Sequence, residues 1–310
     1  MADLTVNITG IKMRNPVMLA SGVFGETGAS LLRAAKGGAG AVVTKSIGRE
    51  PRDGHPNPTV VEFKYGSMLN SMGLPNPGIR AYSHEMEFIT SYDIPVIGSI
   101  FGKNAREFVT LAKYMERYGA YAVELNLSCP HAQGLGMQLG TDKRKVEKIT
   151  KSVKNAVSIP VFVKLTPNVT DIVEIAKAAE SAGADAIVAI NTVKAMAIDV
   201  ELGIPMLGNK VGGLSGPAIR PIGVRAVYDI SRNVKIPVIG VGGIFYGKDA
   251  VEYFMAGASA VQVATAINTR GIDVFKKITN EINDFMDAHG YSKIEDMVGI
   301  SWKHEKRESA

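Results

Sequence analysis

The chain has 310 residues, of which 46% are hydrophobic and 21% are charged. This length and apolar content suit one large α/β barrel or two ordinary domains. The 35 basic and 30 acidic residues give a net charge of +5, and because the basic residues are scattered, nucleic-acid binding is not indicated. The charge remains compatible with an anionic small-molecule ligand.

The cysteine content and the apolar segments bear on the compartment. A single cysteine, Cys129, excludes a disulfide framework and a multi-cysteine metal or iron–sulfur site within this chain, which favours a reducing cytoplasm. The first ten residues lack the pattern of a secretory leader, and no apolar run reaches the length of a membrane span. We expect a cytoplasmic protein without a metal site, with one domain over residues 1–300 and a flexible charged tail over residues 301–310.

Two short phrases alternate along the chain, and each marks the start of a strand. In one phrase, Gly-Ala and a variable residue precede an apolar run, and the glycine is typical of a helix C-terminus. In the other, Ile-Pro precedes the apolar run, and proline suits the first residue of a strand. With residues 17–20 there are eight apolar segments, as in a parallel sheet covered by helices. The other seven are residues 38–46, 94–100, 119–128, 159–165, 183–192, 236–241 and 257–266.

Segments with helical periodicity lie between these strands, so strand and helix alternate. This pattern predicts a (β/α)₈, or TIM, barrel. Two connections are too long for simple loops, residues 48–77 after the second strand and residues 194–216 after the sixth. Insertions of this length are often lids or binding loops, and a plain surface loop is the alternative for the first. The clearest helical segments are residues 104–118, 142–157, 171–182, 218–232 and 247–255.

Polar residues stand at the carboxyl ends of the predicted strands, where parallel barrels carry their active sites. Singly, each could be a helix cap. Together they predict a polar-rimmed pocket. They are Ser21, Gly22, Lys45, Ser46, Ser99, Asn126, Ser128, Cys129, Lys164, Asn191, Thr192, Gly242, Gly243 and Thr265.

The last two strands end in VIGVGGI (residues 238–244) and VQVATA (residues 261–266). Glycines there let backbone N–H groups approach a phosphate, with ordinary turn glycines as the alternative. Lys45 and Lys164 need an anionic partner if they are buried. A lysine in this position either forms a Schiff base, as in an aldolase-type lyase, or faces the negative charge of a reduced flavin.

The segment NLSCP, residues 126–130, places Cys129 directly after the fourth strand. A lone cysteine is usually a buried apolar side chain. Here, however, the chain resembles the class 1 dihydroorotate dehydrogenases over nearly its whole length. NSMGLPNPG at residues 70–78, together with NLSCP, makes the resemblance specific. Cys129 separates it from the quinone-linked branch, which carries serine there. Further matching segments are residues 15–22, 44–46, 124–130, 163–170, 190–192, 212–221 and 240–244.

The resemblance implies oxidation of dihydroorotate to orotate in pyrimidine biosynthesis, with hydride transfer to FMN and Cys129 as general base. The implied FMN contacts are Ala20, Ser21, Gly22, Lys45, Ser46, Ser99, Asn126, Lys164, Ile190, Ser215, Gly216, Gly242, Gly243, Ala264 and Thr265. The implied substrate contacts are Lys45, Asn70, Ser71, Met72, Gly73, Leu74, Asn126, Asn191 and Thr192.

Three alternatives stay open at this point. His131 stands where most of the family has asparagine, and with Gly134 and Gly136 it is similar to the pyrimidine-binding domain of dihydropyrimidine dehydrogenases. An FMN-dependent uracil or thymine dehydrogenase is therefore the first alternative. A flavin-free Schiff-base lyase using Lys164 is the second, although it makes no use of Cys129. A non-catalytic binding module is the third, although it needs neither paired lysines nor a thiol.

The resemblance also bears on the electron acceptor. One class 1 branch is a homodimer that reduces fumarate, and the other pairs a homodimer with two subunits carrying FAD and a [2Fe–2S] cluster and uses NAD⁺. Thr192 and residues 165–178 and 212–221 resemble the NAD-linked branch, whereas Ser99 stands where that branch usually has asparagine. One cysteine cannot hold the cluster, so the implied heterotetramer would carry it in the partner subunit.

Overall fold

The computed structural model describes residues 2–127 and 139–303. Eight parallel strands form a closed barrel in which chain neighbours pair and the last strand pairs with the first. The predicted (β/α)₈ barrel is confirmed. The barrel strands are Val17–Leu19, Ala41–Val43, Val96–Ile100, Ala122–Asn126, Val161–Leu165, Ala186–Ala189, Val238–Val241 and Ala260–Val263.

Prolines and glycines fix where the barrel strands begin. Pro95, Pro160 and Pro237 stand directly before the third, fifth and seventh strands, and each carbonyl accepts a 3.0 Å hydrogen bond from the strand alongside. Proline serves this position because the carbonyl is used and no N–H is needed. The glycines of the other phrase have φ between 82° and 120°, which turns the chain out of the preceding helix. These glycines are Gly38, Gly119, Gly183 and Gly257.

Helices cover the outside of the barrel. The helix Ala105–Arg117 shows how the sequence places them: Asn104 accepts a 3.1 Å hydrogen bond from the N–H of Glu107 at its start, and Phe108 and Leu111 are buried. The α-helices are Gly28–Lys36, Ser83–Thr90, Ala105–Arg117, Lys143–Lys154, Ile172–Ser181, Arg220–Ser231, Gly247–Ala256, Ala266–Arg270, Val274–His289 and Ile300–Lys303. Short 3₁₀ helices span Lys64–Gly66, Leu139–Thr141, Pro217–Ile219 and Ile294–Asp296.

The two long insertions form one structure. Their strands make a four-stranded antiparallel sheet in the order Val193–Ala195, Gly212–Ser215, Met68–Asn70 and Val60–Glu62. The sequence predicted both insertions but not their pairing. Two separate hairpins pair Val6–Ile8 with Ile11–Met13 and Ile198–Asp199 with Ile204–Pro205.

The C-terminal segment differs in part from the expected flexible tail. Residues 301–303 belong to the helix Ile300–Lys303. Ser301 Oγ donates to the Met255 carbonyl at 2.7 Å, and Trp302 Nε1 donates to the Ala256 carbonyl at 3.3 Å. The polar composition of the C-terminal segment did not predict this contact. The acceptors are main-chain carbonyls at the end of the helix Gly247–Ala256, which a composition does not report. Residues 304–310 lie outside the described residues.

Within residues 2–127 and 139–303, no helix has the length and apolar character needed to cross a bilayer. The same residues contain no cluster of three or more His, Cys, Asp or Glu side chains able to hold a metal ion.

Candidate active site

A cavity of about 890 Å³ lies between the carboxyl ends of the barrel strands and the sheet formed by the insertions. Ser21, Lys45 and Asn126 line it from the barrel, and Asn70 and Gly213 line it from the sheet. A second cavity of about 80 Å³ adjoins it, and Lys164 lines both. The insertions therefore act as the roof of the site.

Most of the residues predicted from the sequence line one of these two cavities. Ser99 lines neither, and Cys129 lies outside the described residues. The smaller cavity is lined by Ala20, Ile190, Gly216, Gly242 and Gly243. The larger cavity is lined by Ser21, Gly22, Lys45, Ser46, Asn70, Ser71, Met72, Gly73, Leu74, Asn126, Lys164, Asn191, Thr192, Ser215, Ala264 and Thr265.

Lys45 is buried at the end of the second strand, and its ammonium pairs with the Glu26 carboxylate at the cavity wall. The Lys45 N–H donates to the Gly25 carbonyl at 2.9 Å, and the Tyr82 hydroxyl donates to the same oxygen at 2.6 Å. Burial, aided by the charge of Glu85, raises the pKa of Tyr82, so this hydroxyl stays a donor. Glu26 was not predicted from the sequence, because it lies outside the strand ends.

A chain of hydroxyl and amide groups crosses the floor of the larger cavity. Ser46 Oγ lies 3.3 Å from Ser21 Oγ and 2.9 Å from Ser99 Oγ. Asn126 Nδ2 donates to Ser46 Oγ at 2.9 Å, and Asn191 Nδ2 donates to Asn126 Oδ1 at 3.4 Å. These contacts fix the two amides in the cavity. Ser99 lies behind Ser46, and its hydroxyl helps to hold the Ser46 hydroxyl in place.

Lys164 enters the cavities from the fifth strand above two buried side chains that sequence reasoning missed. Its Nζ donates to Gln262 Oε1 at 3.2 Å and lies 3.6 Å from Glu124 Oε1. Gln262 Nε2 in turn donates to Glu124 Oε2 at 2.8 Å. The available signal was a polar residue within the apolar strands Ala122–Asn126 and Ala260–Val263. The three side chains come from the fourth, fifth and eighth strands.

Glycine and tyrosine shape the smaller cavity. Gly242 and Gly243 have φ of 131° and 69°, which non-glycine residues rarely adopt. The Tyr253 hydroxyl donates to the Gly242 carbonyl at 2.7 Å, and burial raises the pKa of Tyr253. Thr265 Oγ1 donates to Ser215 Oγ at 2.9 Å on the other side. Among the residues that the structure describes, this lining contains Lys164 and neither Asp nor Glu, so it suits an anion.

The predicted substrate segment, residues 70–74, is held by groups from both insertions. Asn70 Nδ2 donates to the Gly213 carbonyl at 3.2 Å. Ser71 Oγ lies 3.0 Å from His55 Nδ1 and accepts from Asn209 Nδ2 at 3.1 Å. His55 and Asn209 were also missed, because each lies far from residues 70–74 in sequence.

Fold and cavities together define a (β/α)₈-barrel enzyme whose site lies at the carboxyl ends of the strands. The family model described as dihydroorotate dehydrogenase matches residues 3–286. The chain belongs to this family, as its sequence predicted.

Curated relatives match along nearly the full chain. A protein from Methanocaldococcus jannaschii is 54% identical over 96% of this chain and 98% of its own. Relatives from Thermoplasma acidophilum and Pyrococcus horikoshii are 52% and 53% identical over 97% of this chain, and over 99% and 98% of their own lengths. All three are named dihydroorotate dehydrogenase B (NAD⁺), catalytic subunit.

Solved structures share the fold. A ligand-free DHODH from Eimeria tenella is similar with a TM-score of 0.86 at 25% identity, covering 97% of this chain and 92% of that chain. The same organism's DHODH in complex with ferulenol gives a TM-score of 0.83 at 24% identity, covering 96% and 88% of the two chains.

Proposed function

We propose that this chain oxidises dihydroorotate to orotate in pyrimidine biosynthesis and that it does so with FMN. The observation that carries the proposal is the convergence of Lys45, Asn70, Asn126 and Asn191 on one cavity beside a phosphate-sized one. The names of the relatives at 50–54% identity support the same activity.

The residues of the smaller cavity fit a flavin phosphate. The cavity has a volume of about 80 Å³ and opens beside the larger one. Gly242 and Gly243 let backbone N–H groups approach closely, and Thr265 and Ser215 add hydroxyls. Lys164, between the two cavities, would face the flavin ring. When bound, FMN would supply the acceptor for the hydride.

The larger cavity offers groups suited to a pyrimidine carboxylate. The Lys45 ammonium would hold the carboxylate, while the amides of Asn70, Asn126 and Asn191 supply donors and acceptors for the ring edge. The hydrogen bonds that already orient Asn70, Asn126 and Asn191 limit the freedom lost on binding.

Cys129 is the proposed base. It lies three residues after Asn126 in the sequence, and Asn126 lines the larger cavity. A thiolate at Cys129 would take the proton from ring carbon 5 as hydride leaves carbon 6.

The Schiff-base lyase is the weaker alternative. A Schiff-base lysine needs its amine free to attack a substrate carbonyl, whereas Lys164 Nζ donates to Gln262 Oε1 at 3.2 Å and lies 3.6 Å from the buried Glu124 carboxylate.

We also propose NAD⁺ as the final acceptor, reached through a partner subunit with FAD and a [2Fe–2S] cluster that binds a homodimer of this chain. The relatives' name, catalytic subunit, supports a partner. Five large apolar side chains are exposed in and around the hairpin formed by Ile198–Asp199 and Ile204–Pro205, as is typical of a protein-contact surface. They are Met196, Ile198, Val200, Leu202 and Ile204. The hairpin lies between Lys194 and Gly212, which line the cavity, so a chain bound there would lie near its mouth.

An anaerobic absorbance spectrum tests cofactor and substrate together. FMN-loaded protein should keep its flavin absorbance after desalting and lose it on addition of dihydroorotate. Dihydrouracil in a parallel sample should leave the spectrum unchanged. Bleaching by dihydrouracil alone would assign the chain to the uracil and thymine dehydrogenases, and colourless protein would remove the cofactor proposal.

A further inference from the structure

We propose that Glu124 is a positioning residue that, with Gln262, sets the location and effective charge of the Lys164 ammonium and through it the reduction potential of the bound flavin. The inference rests on the proposed function, because it takes FMN as the group above Lys164. It concerns two side chains that line no part of the larger cavity.

The side chains of Glu124, Gln262 and Lys164 form one connected polar group inside the barrel. Glu124 is 0% exposed, Gln262 1% and Lys164 5%. Glu124 and Lys164 come from neighbouring strands, and Gln262 comes from the eighth strand across the barrel. Gln262 touches both others, donating to Glu124 and accepting from Lys164. Its amide therefore fixes the carboxylate and the ammonium relative to one another.

Stability does not explain this group. Burying a carboxylate and an ammonium carries a large desolvation cost, and apolar side chains of similar volume often serve a core equally well. Glu124 Oε1 has no hydrogen-bond partner among the described residues, and its separation of 3.6 Å from Lys164 Nζ exceeds a hydrogen bond. A buried oxygen left in this way is costly. The carboxylate thus acts on Lys164 mainly through its charge.

The geometry leaves Lys164 directed at the cavities. An ammonium has three donors, and one is used by Gln262. Lys164 lines both cavities, so its charge lies between Glu124 below and the ligand above. A positive charge favours the reduced flavin, which is the more negative form, whereas the Glu124 charge opposes this effect. Glu124 therefore holds the flavin potential below the value that Lys164 alone would give.

Glu124→Gln tests the charge with little change of shape. We expect the ratio of reduced to oxidised flavin at a fixed potential to rise about tenfold, which is about 30 mV for a two-electron couple. The measurement is equilibrium reduction of FMN-loaded protein against a reference dye, together with FMN titration of the apoprotein. Glu124→Asp, which keeps the charge but withdraws it from Lys164, should shift the potential in the same direction by less.

Thr150→Val is the matched control. Thr150 is equally buried and its hydroxyl has no partner among the described residues, but it lies on the outer helix Lys143–Lys154. Its flavin potential should equal that of the wild type.

The outcomes separate the two proposals. Wild-type protein that takes up no FMN overturns the proposed function, and the positioning role falls with it. If the wild-type protein binds FMN and folded Glu124→Gln has an unchanged flavin potential, the positioning role alone is overturned. If Glu124→Gln does not fold, Glu124→Asp decides by the same criterion. An equal shift in Thr150→Val would show a general effect of altering buried polar groups and would also overturn the role.

Discussion

Asn70 and Gly213 are 143 residues apart in sequence, yet they face each other in one sheet and share a 3.2 Å hydrogen bond from Asn70 Nδ2 to the Gly213 carbonyl. This bond ties the first insertion to the second at the roof of the cavity. A side chain proposed to touch the substrate therefore also joins the two segments that enclose it.

Asn70→Ala should lower kcat/KM for dihydroorotate, because it removes a ring contact and the bond to Gly213. A lost hydrogen bond of about 1–3 kcal/mol corresponds to roughly 5- to 150-fold. Steady-state kinetics with an artificial dye as acceptor measure the effect. Asn233→Ala is the control, since Asn233 is an exposed asparagine whose side chain donates to the Asp229 carbonyl of its own helix region. Equal kinetics in both variants would contradict the role of Asn70.

Cys129→Ala should keep its FMN and lose turnover, because no other thiol is present to take the proton. Wild-type flavin reduction should accelerate as pH rises, because the base must be a thiolate. Cys129→Ser should be slow at neutral pH. Anaerobic stopped-flow reduction by dihydroorotate measures all three, and a wild-type rate in Cys129→Ala would refute the assignment.

Lys164→Ala should weaken FMN binding and flavin reduction, because it removes the cation between the cavities. It also leaves Glu124 without its buried partner, which is expected to cost about 3–5 kcal/mol of stability. FMN titration and urea unfolding measure the two effects. Lys143→Ala, at an exposed ion pair with Glu174, should change stability by no more than about 1 kcal/mol. Undiminished FMN affinity in Lys164→Ala would contradict the site.

The free energy of unfolding should fall as pH rises above about 10, the tyrosine pKa in an unfolded chain. Burial raises the pKa values of Tyr82 and Tyr253 in the folded protein, so the unfolded chain releases these protons first and gains from alkaline pH. The stability due to these shifts is complete below about 10 and is lost as pH rises through the folded values. Urea unfolding over a pH series should show a shallower fall in Tyr253→Phe, and parallel curves would contradict this explanation.

Replacing Val200 and Leu202 by lysine should weaken binding of the electron-transfer subunit, because these side chains are 84% and 68% exposed on the hairpin near the cavity mouth. Dye reduction by the lone chain should be unchanged. Sedimentation of the mixed subunits measures the assembly. Ile222→Lys, an exposed apolar position on the helix Arg220–Ser231, is the control. Efficient fumarate reduction by the lone wild-type chain would instead place it in the fumarate-linked branch.

The barrel, and the strand ends that line its cavities, could be predicted from the sequence. Pro95, Pro160 and Pro237 mark strand starts because proline lacks an N–H, and the alternation of strand and helix leaves few topologies. Once the strands are parallel, their carboxyl ends must meet, so Lys45, Asn126 and Lys164 could be assigned to one pocket from their positions alone.

Contacts between residues far apart in the sequence depend on the tertiary structure and could not be predicted from local patterns. The pairing of Asn70 with Gly213 depends on the register between two insertions, and the contacts of Gln262 with Glu124 and Lys164 depend on closure of the barrel. Local periodicity carries no information on either, because it reports which face of a strand is apolar and not which strand lies opposite. For the same reason the polarity of the segment did not predict the helix at residues 300–303, because its side-chain hydrogen bonds go to carbonyls 46 residues away.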